Sequence, residues 1–578
     1  MLNTIIAFSI RNKALTGLGT VALIVWGLYA LTQLPIDAVP DITDNQVQVI
    51  TVAPSQSAQE IERLVTFPVE QTMATIPGIH NIRSFSRFGL SVVTIVFEEG
   101  VDVYWARQQV GERLVLASNL IPPGVGSPEL APVTTGLGEI YQYILRPQPG
   151  YEKRYDAMEL RTIQDWIVRR QLLGVEGVAE VSSFGGYLKQ YEIALDPIRL
   201  KAMGVTVTEV FDALEANNQN TGGAYIEKQP LAWYIRSEGL IEKLSDIDSI
   251  AVRQGPTGIP ILIRDVATVD YGHAIRYGAM THNDDGEVVG AVVMMLKGAN
   301  SSKVIEKVKE RIAEIGKTLP EGVKIEPYLD RTKLVDKAIS TVVRNLTEGA
   351  LIVILVLVLL LGNLRGGLIV ASVIPLAMLF AIGMMNLFGV SGNLMSLGAI
   401  DFGLIVDGAV IIVEGTLHHL GLHGDSKGKL SRAEMDLKVG QSAGKIMASA
   451  AFGELIILIV YLPLLALVGV EGKMFKPMAQ TVSFAIMGAF LLSLTYVPMM
   501  SALFLSRKTG HRTTLSDRFM GLLQRLYRPS LNIALRLRWI VIGLAVLFLI
   551  GGVSVFGLLG AEFILTLEEG DFAVETRI

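Results

Sequence analysis

Three acids stand in one apolar stretch, Asp401-Phe-Gly-Leu-Ile-Val-Asp407-Gly-Ala-Val-Ile-Ile-Val-Glu414. A carboxylate at mid-bilayer costs about 2.5–3.5 kcal/mol on insertion scales, so three in one candidate span demand a use. On an ideal helix each residue turns about 100° and rises about 1.5 Å. Asp407 and Glu414, seven steps apart, then share a face about 10 Å apart along the axis. Asp401, six steps before Asp407, falls about 120° away on an adjoining face. Gly403 and Gly408 flank Asp407, and small residues admit a close neighbouring helix. The expectation is a buried, desolvated Asp407 that loads and releases a proton, with Asp401 and Glu414 completing a relay. The plainer readings are a structural ion-pair partner, or interfacial positions for Asp401 (outer) and Glu414 (cytoplasmic). No Lys or Arg lies inside the apolar runs, so a cationic partner would come from elsewhere.

The elements that must hold these acids follow from composition. Hydrophobic residues make up 51% of the 578 and charged residues 18%, with a mean hydropathy of +0.46. That is a multi-span membrane protein. A net charge of −5 gives no footing for nucleic acid. Without Cys, disulfides, thiolate metal sites and Cys nucleophiles are excluded. Seven apolar runs predict spans at 14–34, 349–362, 367–389, 393–415, 446–470, 481–505 and 539–560. Arg11 and Lys13 before the first place the N-terminus inside. Arg365, the basic group Lys427, Lys429, Arg432, Lys438 and Lys445, and eight Lys or Arg between 507 and 538 then also fall inside. The segment 515–537 mixes apolar and Arg positions and reads as interfacial.

Between the first two spans, residues 35–340 alternate strand and helix patterns outside the membrane. Strands are predicted at 46–54 and 91–100. Helices are predicted at 57–76, opened by a Ser57/Glu60 capping box, at 103–120 and at 301–319. ALEANNQNTGGAYIE (213–227) reads as a protruding loop. Several small α+β sandwiches are expected. The seventh span repeats the opening order, an anchor followed by LLGAEFILTLEEGDFAVETRI. The expectation is the first half, slightly overrun, of a two-repeat protein; the alternative is a complete chain with a short external cap.

DFGLIVDGAVIIVE closely resembles the fourth-helix motif of the heavy-metal efflux branch of the resistance–nodulation–division (RND) superfamily. LPIDAVPDIT, TTGLGEIYQY, NNQNTGGAYIE and AEFILTLEEGD carry the likeness along the whole chain. The Asp-Phe-Gly, Asp-Gly-Ala, Glu pattern is similar to the subgroup exporting zinc, cobalt, cadmium or nickel. Gly415 stands where members of the family usually have Asn. The resemblance implies an RND-type fold truncated after its first repeat: an α-helical transmembrane bundle with periplasmic α+β porter and docking subdomains. It implies a first helix over 1–35, porter subdomains over 36–134 and over 135–180 with 274–335, and a docking subdomain over 181–273. Helices two to six would occupy 336–506, an interfacial segment 507–538, the seventh helix 539–560, and a second periplasmic block would start at 561–578. It also implies a trimeric proton antiporter of the bacterial inner membrane, working with a periplasmic adaptor, an outer-membrane channel and a C-terminal half. The proton pathway would run through Asp401, Asp407 and Glu414.

Metal contacts are less determined. Hard or borderline cations suit carboxylate and imidazole, which nominates Glu139 and Glu129. His418, His419 and His423 cluster after the fourth span, and Met384, Met385, Met499 and Met500 could pass a soft ion, although Met pairs in apolar helices mostly pack. No GxSxG, Walker lysine loop or HExxH occurs, so neither an enzyme nor a cofactor is expected. The rivals to metal export are a drug or amphiphile exporter of the same build and an inactive or scaffold half-transporter.

Overall fold

The computed structural model describes the chain except residues 1, 38–39, 55, 229, 256–257, 277, 284–285, 423–429, 507–514 and 559–578. It divides into two compact units, Met1–Gly136 with Gly298–Ser302 and Arg331–Ile578, and Leu137–Lys297 with Lys303–Asp330.

The first unit holds the apolar helices α1 (Lys13–Gln33), α2 (Arg331–Leu361), α3 (Val373–Leu387), α4 (Phe402–Leu422), α5 (Arg432–Leu465), α6 (Gly469–Leu494), α7 (Tyr496–Phe504) and α9 (Arg538–Phe556), with the Arg-bearing amphipathic helix α8 (Leu515–Arg536) before the last. Among the described residues six stretches are long and apolar enough to cross a membrane. The bent α5, turned by 41°, makes a seventh if it is one span. Several boundaries differ from the sequence expectation: the run 367–389 is two helices, Leu364–Ala371 and Val373–Leu387, and the run 393–415 is Leu394–Gly398 followed by α4 from Phe402. The run 349–362 is the end of a much longer helix beginning at Arg331. The run 481–505 is not one helix: α6 starts at Gly469 and ends at Leu494, and α7 follows after Thr495. Pro498, third in α7, has no N–H for the carbonyl of Leu494, so the ladder breaks there. The helices pack through a core that includes Val370, Val373, Ala377, Val439, Ala443, Met447, Ala485 and Ala489.

The same unit carries a four-stranded antiparallel sheet of β1 (Gln46–Val52), β2 (Ile79–Arg87), β3 (Leu90–Phe97) and β4 (Ser127–Leu130), in the order β2-β3-β1-β4. Strand alternation turns Val47, Val49, Val93 and Ile95 onto two helices. One is Val103–Leu120, as predicted, capped by Asp102. The other starts at the predicted Ser57/Glu60 capping box. It contributes Ile61, Val65, Val69 and Met73 to the core, a spacing of four that would drift round a straight α-helix by about 40° per step. A π segment at Glu62–Thr66 widens the turn and absorbs that drift.

The second unit repeats this plan. Strands β5 (Glu139–Pro147), β6 (Val178–Phe184), β7 (Val289–Met295) and β8 (Val323–Asp330) form an antiparallel sheet in the order β6-β7-β5-β8. This is the same βαββαβ arrangement. Its first helix again contains a π segment, Gln164–Val168. The difference lies at the hairpin between the second and third strands. In the first sheet Phe88-Gly89 closes it, with Gly89 at φ 74°; in the second, residues 185–288 are inserted. The insert has its own core of Leu200, Val210, Ile247, Ile263 and Val266 and an antiparallel strand pair, Lys189–Leu195 with Ala267–His273. The predicted loop at 213–227 is corrected: a helix runs to Ala216, and Thr221–Lys228 pairs with Leu231–Ser237 as a hairpin. Its Asn and Gly residues mark the helix end and hairpin start.

Candidate functional site on the fourth apolar helix

Helix α4 has two faces. Ile405, Val406, Ala409, Ile412, Val413 and Leu420 are buried in the helix core, at the spacing of one packed stripe. Gly403, Asp407, Ile411, Glu414 and His418 are exposed and recur every three or four residues on the other side. Asp407 and Glu414 therefore share a stripe, as the spacing predicts. The expected burial of Asp407 is corrected: its side chain lies on the open face of this chain, because the packed stripe falls to the positions beside it.

Asp401 is also corrected. It precedes α4 rather than sitting on it, and its carboxylate accepts from the Gly403 N–H at 2.8 Å. It satisfies a helix-start donor that otherwise has no partner, and the helical angle from Asp401 to Asp407 does not apply. Upstream, Gly392 is tied to the exit of α1. Its N–H donates to the Pro35 carbonyl at 2.9 Å, and its carbonyl accepts from Asp37 N–H at 3.0 Å, forming a parallel bridge with Ile36. Burial pushes the Asp37 carboxyl above the ordinary carboxylate range, partly offset by Ser301, whose hydroxyl donates to it at 2.7 Å.

Of the two glycines expected to admit a neighbour, only Gly408 does. Gly403 is exposed. A Cβ at Gly408 would overlap Glu454 Oε1 and lie 2.9 Å from Ser493 Oγ. Glu454 projects from α5 and Ser493 from α6. Glu454 is 5% exposed, and neither of its oxygens has a hydrogen-bond partner among the described residues; nor does Ser493 Oγ. The desolvated carboxyl of the bundle is thus Glu454. Sequence reasoning passed over it, although a lone acid in IMASAAFGELIILIVYLPLL carries the same insertion cost as those on α4.

The two carboxylate metal candidates lie on separate elements. Glu129 is exposed on β4, and Glu139 is exposed at the start of β5, where it accepts from Gln142. They fall in different compact units. Among the described residues no group of three or more His, Asp or Glu could hold a metal ion. His418 is exposed and His419 half-buried; His423 lies outside the described residues. Met385 and Met499 are buried in packed helix faces, which is the packing role.

This geometry sits in a chain with clear relatives. Residues 5–578 match the AcrB/AcrD/AcrF family. The cobalt-zinc-cadmium resistance protein CzcA of Cupriavidus metallidurans is 45% identical over 581 residues, covering 100% of this chain and 54% of the relative. The cation efflux system protein CusA of Escherichia coli (strain K12) is 34% identical over 575 residues, covering 99% and 54%. An X-ray crystal structure of a heavy metal efflux pump superposes with a TM-score of 0.77 at 34% identity, over 94% of this chain and 52% of that one. The chain spans about half the length of the curated relatives it matches. Resemblance, fold and family match agree: the chain belongs to the AcrB/AcrD/AcrF family, among whose matched members are cation efflux proteins.

Proposed function

We propose that the chain is the N-terminal half of a proton-driven exporter of divalent heavy-metal cations of the zinc, cobalt, cadmium and nickel type. The observation that carries this reading is the pair Asp407 and Glu414 on one exposed stripe of an otherwise apolar helix. Acids at membrane depth that face a cavity or a partner, rather than lipid, are proton or ion relays by default. Asp401 stands at the head of that stripe as a helix cap, where a change in its charge would reach the first turn of α4. Protonation of Asp407 changes the charge that the open face presents, which biases helix packing and drives alternating access in the domains outside the membrane.

The identity of 45% to a cobalt-zinc-cadmium resistance protein, against 34% to CusA, supports the divalent-cation subgroup. In this reading the two βαββαβ sandwiches are the porter subdomains, the 185–288 insert is the docking part in place of the expected 181–273, since Val178–Phe184 belongs to the sheet, and Glu129 and Glu139 are candidate contacts for the passing cation. The pump is a trimer of the bacterial inner membrane, working with a periplasmic adaptor and an outer-membrane channel. The deciding experiment compares zinc, cobalt, nickel, cadmium and copper tolerance in a pump-deleted host given this chain with the second half of its relatives. Protection against the divalent ions, lost in Asp407→Asn at equal expression, supports the reading. Protection unchanged by Asp407→Asn, or confined to copper and silver, overturns it.

A further inference from the structure

We infer that Glu454 is a second proton-binding carboxyl, seated in a pocket that Gly408 opens in α4 and that Ser493 completes from α6; this rests on the proposed proton-driven transport. The pocket is built for an oxygen. Gly408 has no side chain where the carboxyl lies, and any Cβ there would collide with Glu454 Oε1. The carboxyl is enclosed, at 5% exposure, with no donor for either oxygen among the described residues. An ionised carboxylate left without donors in such a place is costly. A neutral acid avoids that cost, in a pocket whose other polar group is the Ser493 hydroxyl, itself without a hydrogen-bond partner among the described residues.

The surroundings leave little else to set its charge. From α4, Asp407 adjoins the pocket through the peptide to Gly408, while Glu414 and His418 follow it along the open stripe. On α6 the ionisable residues Glu471, Lys473 and Lys476 lie in the first turns, more than about four turns from Ser493. On α7 the only ionisable group is Tyr496, whose hydroxyl is hydrogen-bonded to Ser372. The helix Leu2–Arg11, which also packs on α5, ends in Arg11. On α5 itself Tyr461 is two turns onward, and Arg432, Glu434, Asp436, Lys438 and Lys445 lie towards the start. Asp407 and Glu454 thus sit on the two sides of one helix, joined through a single glycine. Their protonation is coupled: a proton on one removes the like charge opposing ionisation of the other. A proton taken up on the open face of α4 can in this way be felt at the interface of α4, α5 and α6.

The test reads the pocket and the transport separately. Membranes containing the full chain are treated with dicyclohexylcarbodiimide, which reacts with protonated carboxyls in apolar surroundings, and adducts are located by mass spectrometry. The expected result is an adduct on Glu454 that falls severalfold as pH rises and is absent in Glu454→Gln. In the metal-tolerance assay Glu454→Gln, an amide close in shape to the neutral acid, is expected to lose at least tenfold in export, while Glu454→Asp retains part of it. No adduct on Glu454 across the pH range overturns the inference, as does wild-type export by Glu454→Gln beside a dead Asp407→Asn. Wild-type export by Asp407→Asn instead removes the proposed proton drive, whatever the labelling shows.

Discussion

Two buried polar groups, one in each unit, have opposite surroundings. In the second sandwich Gln164 is fully buried, yet its carbonyl accepts from Tyr143 at 3.0 Å and its amide donates to Ser183 at 3.3 Å. Ser183 donates in turn to Asp165, which also accepts from Arg161. In the helix bundle Glu454 is nearly as buried and has no such partner among the described residues. A satisfied network fixes one conformation and one protonation state, which suits a scaffold. A carboxyl enclosed without a donor is costly when ionised and neutral otherwise, so its state follows changes in its surroundings, which suits a group that must change. The sandwich uses buried polarity for uniqueness, the bundle for exchange.

The largest test of that contrast is Asp407→Asn, expected to remove the whole increment of metal tolerance at unchanged expression, measured by growth across a metal series. Gly408→Val comes next. Filling the pocket is expected to cost about 3 kcal/mol by overpacking and to abolish carbodiimide labelling of Glu454, read by detergent-phase denaturation and mass spectrometry. If the variant were as stable as wild type, the close approach of Glu454 would be refuted. In the sandwich, Gln164→Leu strands the Tyr143 hydroxyl and is expected to cost about 2 kcal/mol, while Tyr143→Phe costs about 1 kcal/mol. Neither should alter metal selectivity; a selectivity change would erase the distinction between scaffold and exchange. The smallest effect is at Asp37. Its folded carboxyl holds its proton to higher pH than the unfolded one, so its contribution to stability is greatest in acid and is lost as pH rises. Asp37→Asn should therefore gain stability relative to wild type as pH rises to neutral, a gap that closes below about pH 4. Denaturation midpoints compared from pH 4 to 7 measure it.

Much of the fold was legible because its signals are local. The Ser57/Glu60 box and the helix over Val103–Leu120 follow from caps and composition, and the apolar runs from length. The break at Thr495 was readable from Pro498, but a long apolar window hides it. The hairpin at 221–237 was not readable as such, because Asn/Gly chemistry marks a turn without specifying the strands on either side. At the site, spacing placed Asp407 and Glu414 on one stripe correctly. Which stripe is packed depends on neighbouring helices, so the carboxyl expected to be buried lies open and Glu454 is buried in its place. Asp401 fell just outside the helix because an acid that caps and an acid on the first turn have the same one-dimensional spacing. The Glu454 pocket needs three helices at once, α4, α5 and α6, and no single-helix periodicity contains it.

The bridge between Ile36 and Gly392 has a mechanical consequence. Two backbone hydrogen bonds lash the chain leaving α1 to the chain that leads into α4. Beyond the lash, Asp37 is held by Ser301 at the start of the helix Ser301–Ile315, and β1 begins nine residues later at Gln46. Under the proposed proton drive, rotation or axial slip of α4 would be delivered as a tug on the root of the first sheet, with no long-range pathway of side chains required.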